Sequence, residues 1–171
     1  MSKWLVLPGI DYGRDLDAFI PGCSNFQYGE VVESEKAVEL GIANIPTESQ
    51  WLAAEIYCRF ILQPARNAKG RIHVNSWFRC PELNKAVKSG PTSFHLTGGA
   101  GDLKPLDCTL MELLVFIKGL HFSEIIAEFF PNGWVHTAFL KGDDRKMLKL
   151  KDATHNYTRI TIEDLRKLYP H

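Results

Sequence analysis

Apolar positions recur along the chain in two periods. From Thr47 onward, Trp51, Leu52, Ile56, Phe60 and Ile61 return on one helical face up to Pro64, and Thr47 with Gln50 makes a capping box at the start. A shorter helix is expected from Glu33 to Leu40, closed by Gly41. Thr109 and Glu112 form a second capping box, opening a helix to about Lys118 that Gly119 ends, and a terminal helix is expected from Thr161 to Leu168. Strand-like alternation appears at residues 71–77 and again from Ala100 to Lys104. Two further runs, Glu124–Phe130 and Trp134–Leu140, flank Pro131-Asn132-Gly133, which is a hairpin signal. Between Arg79 and Gly99 small and polar residues predict a loop, with a short helix over Pro81 to Lys88. Helices that precede and interrupt such strands predict an α+β fold: a small, mainly antiparallel sheet flanked by helices.

The 171 residues, 45% of them hydrophobic, suffice for one core and are too few for two comfortable domains. With 20 basic and 20 acidic side chains the formal charge is zero, which argues against a general nucleic-acid binder. The charge is unevenly spread. Residues 1–60 hold four Lys/Arg against nine Asp/Glu, residues 61–140 eight against six, and residues 141–171 eight against five. The basic C-terminal segment is a candidate contact for anionic polymers, and uneven solvation of exposed helices explains the same numbers. Cys23, Cys58, Cys80 and Cys108 are widely spaced, without a C-x-x-C pair. The apolar run before Pro8 is only four residues, too short for a secretory signal, so reduced thiols and synthesis in a cytoplasm are expected. No stretch approaches the ~20 apolar residues that span a bilayer.

Chemistry concentrates in Ser93-Phe94-His95-Leu96-Thr97-Gly98-Gly99-Ala100-Gly101-Asp102. An imidazole and a carboxylate stand seven residues apart across a glycine-rich connection, which lets backbone turn sharply beside a metal. His136, on a predicted strand, is the candidate third ligand. His95, Asp102 and His136 would give the three protein ligands of a catalytic zinc, with a fourth position open. If Pro131-Asn132-Gly133 is a three-residue loop with Gly133 left-handed, Glu128 falls directly opposite His136, where a general base belongs. A two-residue Asn-Gly turn would instead turn Glu128 away. Glu124, four residues earlier on the same strand face, is the reserve.

These residues carry a resemblance. Ser93-x-His95-x-x-Gly98-x-Ala100-x-Asp102 followed by Trp134-Val135-His136 resembles the M15 family of zinc metallopeptidases, which cut peptidoglycan stem peptides as D-Ala-D-Ala carboxypeptidases or L-alanyl-D-glutamate endopeptidases. Ser76-Trp77-Phe78-Arg79-Cys80-Pro81-Glu82-Leu83-Asn84 is similar to its S-G-Y-R-S-P-x-L-N element, and Ser34 to Ala37 with Leu40 to Pro46 resembles the amino-terminal segment of the small phage and bacterial branch. The likeness covers roughly residues 30–140. It implies a hedgehog/DD-peptidase-like fold, zinc on His95, Asp102 and His136, Arg79 facing substrate to stabilise charge, and Ser93 lining the cleft.

Trp77, Phe78 and Cys80 depart from the family's Gly, Tyr and Ser, and a bulky Trp77 is expected to narrow the cleft or to change which peptide fits. Gly133 stands where some relatives carry the Glu of Glu-x-x-His. His73, His121, His155 and His171 match no motif and are expected to be structural or solvent-exposed. Residues 1–29 are expected to pack as an extension on a single domain spanning 30–171. The implied function is a phage lysis or virion-associated peptidase, reaching the wall after holin release or within a particle. Its expected partners are peptidoglycan peptides, anionic wall polymers and phage particle proteins. The alternative is a non-catalytic, zinc-containing structural or wall-binding component of a phage particle.

Overall fold

The computed structural model describes residues 3–143 and 145–170; His171 lies outside them. Side-chain caps open several of the helices. After α1 (Tyr28–Val32), the Ser34 hydroxyl accepts from the Ala37 N–H at 3.1 Å and opens α2 (Glu35–Leu40). Thr47 and Gln50 complete their capping box at α3 (Glu48–Tyr57). Pro64 does not end this helix as expected. A π turn (Cys58–Leu62) carries the chain directly into α4 (Gln63–Lys69), with Pro64 in its first turn. Proline lacks an amide donor and its ring collides with the carbonyl four residues back, and a wider turn relieves both demands.

β1 (Ile72–Ser76), α5 (Pro81–Ala86), a 3-10 turn (Phe94–Thr97), β2 (Ala100–Pro105) and α6 (Leu110–Lys118) follow. β3 (Glu124–Glu128), β4 (Trp134–Ala138), β5 (Met147–Lys151), β6 (Tyr157–Arg159) and α7 (Ile162–Leu168) complete the order. The strands form one sheet, β1-β2-β4-β3-β5-β6, antiparallel except where β3 meets β5. The α+β expectation holds. Within the basic C-terminal segment, β5 and β6 extend the sheet and α7 buries Leu165.

One sheet face carries Leu103, Ile125, Ala127, Val135 and Leu148 into a core with Trp51, Tyr57, Leu113, Leu114 and Ile117. Tyr12, Ile20, Cys23, Phe26 and Tyr28, from the first 29 residues, are buried in the same core. All four cysteines are free thiols. Among the described residues no helix is long and apolar enough to cross a membrane.

The β3–β4 hairpin departs from its expected register. Glu128 pairs with Trp134, and Ile126 stands opposite His136. Phe129 takes φ 51 and turns the chain immediately after Glu128, so residues 129–133 all belong to the loop. The shift is two residues, and side chains alternate with period two. Glu128 and Glu124 therefore stay on the His136 face. Gly133 is not left-handed but closely packed: a Cβ there would lie 1.9 Å from the Glu128 carbonyl oxygen. Gly133→Ala should lower the unfolding free energy by about 2–3 kcal/mol in urea titration; a variant as stable as the parent would contradict this packing.

Candidate metal centre

The second sheet face builds the site from rows of facing residues. One row runs Ser76, Asp102, His136, Ile126, Lys149 and Arg159 from β1 to β6. Beside it runs Trp134, Glu128, Lys151 and Tyr157. Ser76 reaches this face because the register slips between Val74 and Ser76. Val74 pairs with Leu103 towards the core, and the extra residue, Asn75, lets Ser76 stand opposite Asp102.

His95 comes from outside the sheet, on the 3-10 turn that the Ser93 hydroxyl caps. Four bonds hold this turn. The Gln50 amide donates to the Leu96 carbonyl at 2.8 Å, and the Trp77 indole N–H donates to the Gly98 carbonyl at 2.8 Å. The Arg79 N–H donates to the His95 carbonyl at 3.1 Å, and the His95 Nδ1–H donates to the Trp77 carbonyl at 2.5 Å. A carbonyl only accepts, so Nδ1 must carry the proton and Nε2 presents its lone pair inward. Gly98 closes the turn at φ 82, where a Cβ would lie 2.4 Å from the Gln50 carbonyl oxygen. Only glycine fits both demands.

His95, Asp102 and His136 each offer one donor atom, and the three atoms lie within 4.8 Å of one another. His95 Nε2 is 3.1 Å from His136 Nδ1 and 3.3 Å from Asp102 Oδ1, while His136 Nδ1 and Asp102 Oδ1 are 2.9 Å apart. A tetrahedral ion with bonds of ~2.0–2.1 Å spaces its ligand atoms by about 3.3 Å, so the donor set and its spacing fit such an ion. Burial pushes the His95 imidazole below its ordinary pKa, against the pull of Asp102. Burial works to raise the Asp102 carboxyl, but the charge and hydrogen bonds of His95 and His136 outweigh it and hold the group well below the carboxylate range. Both shifts favour metal binding, which needs an ionised carboxylate and an imidazole nitrogen free of its proton. The other oxygen, Oδ2, accepts from Arg79 Nη2 at 2.7 Å, and Arg79 Nε donates to Ser76 Oγ at 2.8 Å.

A cleft of about 1040 Å³ lies over this face. Arg79, Ser93, His95, Asp102, Glu128 and His136 all line it, and so does the reserve residue Glu124. Glu124 accepts from Lys149 Nζ at 2.5 Å and Glu128 from Lys151 Nζ at 2.7 Å. Trp77 does not narrow the cleft. It is fully buried, with its ring edge-on to Tyr57 and Phe26, because its indole is spent on the loop that carries His95. His155 is exposed, as expected, and lies at the cleft wall. Sequence reasoning missed Ser76, Lys149, Lys151 and Tyr157. The alternation Met147-Leu148-Lys149-Leu150-Lys151 was the available signal for the lysines.

A family model described as Peptidase M15 matches residues 24–138, about two thirds of the chain. The chain belongs to the peptidase M15 family. It is therefore a metallopeptidase, and peptidases of the M15 family are metal-dependent. The match ends at β4, so β5, β6 and α7 lie beyond it. No curated protein matches the chain.

Trp77→Phe should cost about 2–4 kcal/mol of stability in chemical denaturation, because it leaves a cavity and an unanswered Gly98 carbonyl. Metal content should fall with it as the His95 turn loosens. A variant with parental stability and full metal loading would show that the indole does not hold the turn.

Proposed function

We propose that this M15 peptidase is a zinc enzyme that hydrolyses peptide bonds in peptidoglycan stem peptides. The observation that carries this reading is the trio of buried donor atoms, from His95, Asp102 and His136, on the floor of a cleft that also holds two carboxylates and an arginine. Zinc bound there would supply Lewis acidity, polarising the scissile carbonyl and bringing the pKa of water towards ~7.

The protein's own groups do the rest. Hydrogen bonding at His95 Nδ1 fixes the tautomer and aims the ring, and Arg79 fixes the Asp102 carboxylate through the oxygen that His95 and His136 do not share. The guanidinium spends Nη2 and Nε on Asp102 and Ser76. Its remaining N–H donors serve a developing oxyanion or a substrate carboxylate in the cleft. Glu128 takes a proton from the attacking water and returns it to the departing amine nitrogen. Lys151 holds the Glu128 carboxylate from the β5 side. Ser93 caps the His95 turn and lines the substrate's path. The likeness of residues 30–140 to the small phage and bacterial branch supports a role in phage lysis or in a virion, with the wall as the site of action.

Glu128→Gln should keep one zinc per chain by atomic absorption and lose at least about 100-fold in kcat on stem peptides. Glu124→Gln should lose less than about tenfold. Full hydrolysis by Glu128→Gln would remove Glu128 as the base, and a large loss confined to Glu124→Gln would transfer the role. Failure of the zinc-loaded parent to cut any stem peptide would overturn the proposed substrate.

A further inference from the structure

Beyond the metal, the row of facing residues continues through Ile126 to Lys149 and Arg159, and the adjacent row through Glu128 to Lys151 and Tyr157. We propose that β5 forms a carboxylate-binding subsite in which Lys149, assisted by Lys151, holds an anionic group of the peptide about three residues from the bond that is cut. This rests on the reading that the peptide lies in the cleft over His136.

Position argues first. Lys149 stands two strands from His136, and neighbouring strands are ~4.8 Å apart, so the two backbones are about 10 Å apart. An extended peptide covers that span in about three residues. The free carboxylate of a terminal residue would sit much nearer the metal, within reach of Arg79. The subsite therefore reads a different carboxylate, carried farther along the peptide.

Donor capacity argues second. An ammonium group has three N–H donors. The Lys149 ammonium donates to Glu124 at 2.5 Å, yet its side chain keeps 26% of its surface open and lines the cleft. Lys151 is more enclosed at 17%, with its ammonium 5.4 Å from the Tyr157 ring and 5.5 Å from that of Phe129. Tyr157, half-exposed at the cleft wall, gives the bound chain an apolar surface beside the charge. Pairing with Glu124 and Glu128 keeps both lysines extended over the sheet, so little side-chain entropy remains to be lost on binding.

Charge argues third. The cleft lining holds five Lys and Arg against three Asp and Glu, and with Arg145 paired to Asp143 the surplus that draws an acidic peptide is one positive charge. Both lysines lie beyond residue 138, where the family match ends.

The test uses the zinc-loaded protein and two synthetic pentapeptides, L-Ala-γ-D-Glu-L-Lys-D-Ala-D-Ala with its glutamyl α-carboxylate free, and the same peptide with a carboxamide there. Calorimetry should give about tenfold tighter binding of the acid by the parent, falling with added salt. Lys149→Met should bring the ratio close to one and Lys149→Arg should restore it. Glu124→Gln, which releases Lys149 from its partner, should raise the ratio and carries the test should the Met variant fail to fold. Equal binding of both peptides by the parent, or an undiminished preference in Lys149→Met, overturns the proposal. Parallel hydrolysis assays separate it from the peptidase reading: acid preference without cleavage supports the subsite and counts against the substrate assignment.

Discussion

A carboxylate buried in a protein interior is tolerated only when both of its oxygens find compensating partners. Asp102 meets that demand from two sides. Oδ1 faces the donor atoms of His95 and His136, and Oδ2 is held by Arg79 at 2.7 Å. Three donor atoms at 2.9–3.3 Å converge on one point between the two imidazoles and the carboxylate, and a cation is the natural partner for such a cluster. The site is thus one electrostatic unit. Removing Arg79 would uncover the second oxygen of Asp102, and removing any of the three donors would leave the others misdirected.

Much of the surrounding structure serves to bring these groups together. The β1 irregularity turns Ser76 to the cleft face, where it braces Arg79, while the next residue, Trp77, enters the core. Trp77 then acts on the site from behind. Its carbonyl fixes the His95 tautomer and its indole secures the Gly98 carbonyl. Trp77 thereby braces the frame of the metal centre from the core side and stays clear of the cleft. On the far side, β5 supplies one lysine for each of the two glutamates on β3, so these acidic groups are themselves paired.

Local signals in the chain were read well where they act locally. Thr47 with Gln50 and Thr109 with Glu112 close their capping boxes as expected, and Gly41 ends α2 in the left-handed conformation. The convergence of His95, Asp102 and His136 was legible because a glycine-rich connection sets an imidazole and a carboxylate close together and the ordered motifs resemble one family. Features that depend on partners distant in the chain were not legible. The hairpin register turned on Phe129 adopting φ 51, a conformation that residue type does not announce. Strand β5 looked like a solvated basic segment because its lysines, not its leucines, face the cleft. Nothing in the local pattern distinguishes a lysine paired with a buried glutamate from one in water. Pro64 misled for a related reason: a π turn absorbs its missing donor, and that turn depends on the packing of Ile61 and Leu62 in the core.

The central claim is that His95, Asp102 and His136 are joint ligands of a single ion, and anomalous diffraction tests it most directly. Crystals of zinc-loaded protein, measured on both sides of the zinc absorption edge, should give one strong peak per chain. It should lie within bonding distance, ~2.0–2.2 Å, of His95 Nε2, His136 Nδ1 and an Asp102 oxygen. A peak held by other residues, or no peak from protein that carries stoichiometric zinc in solution, would contradict the account.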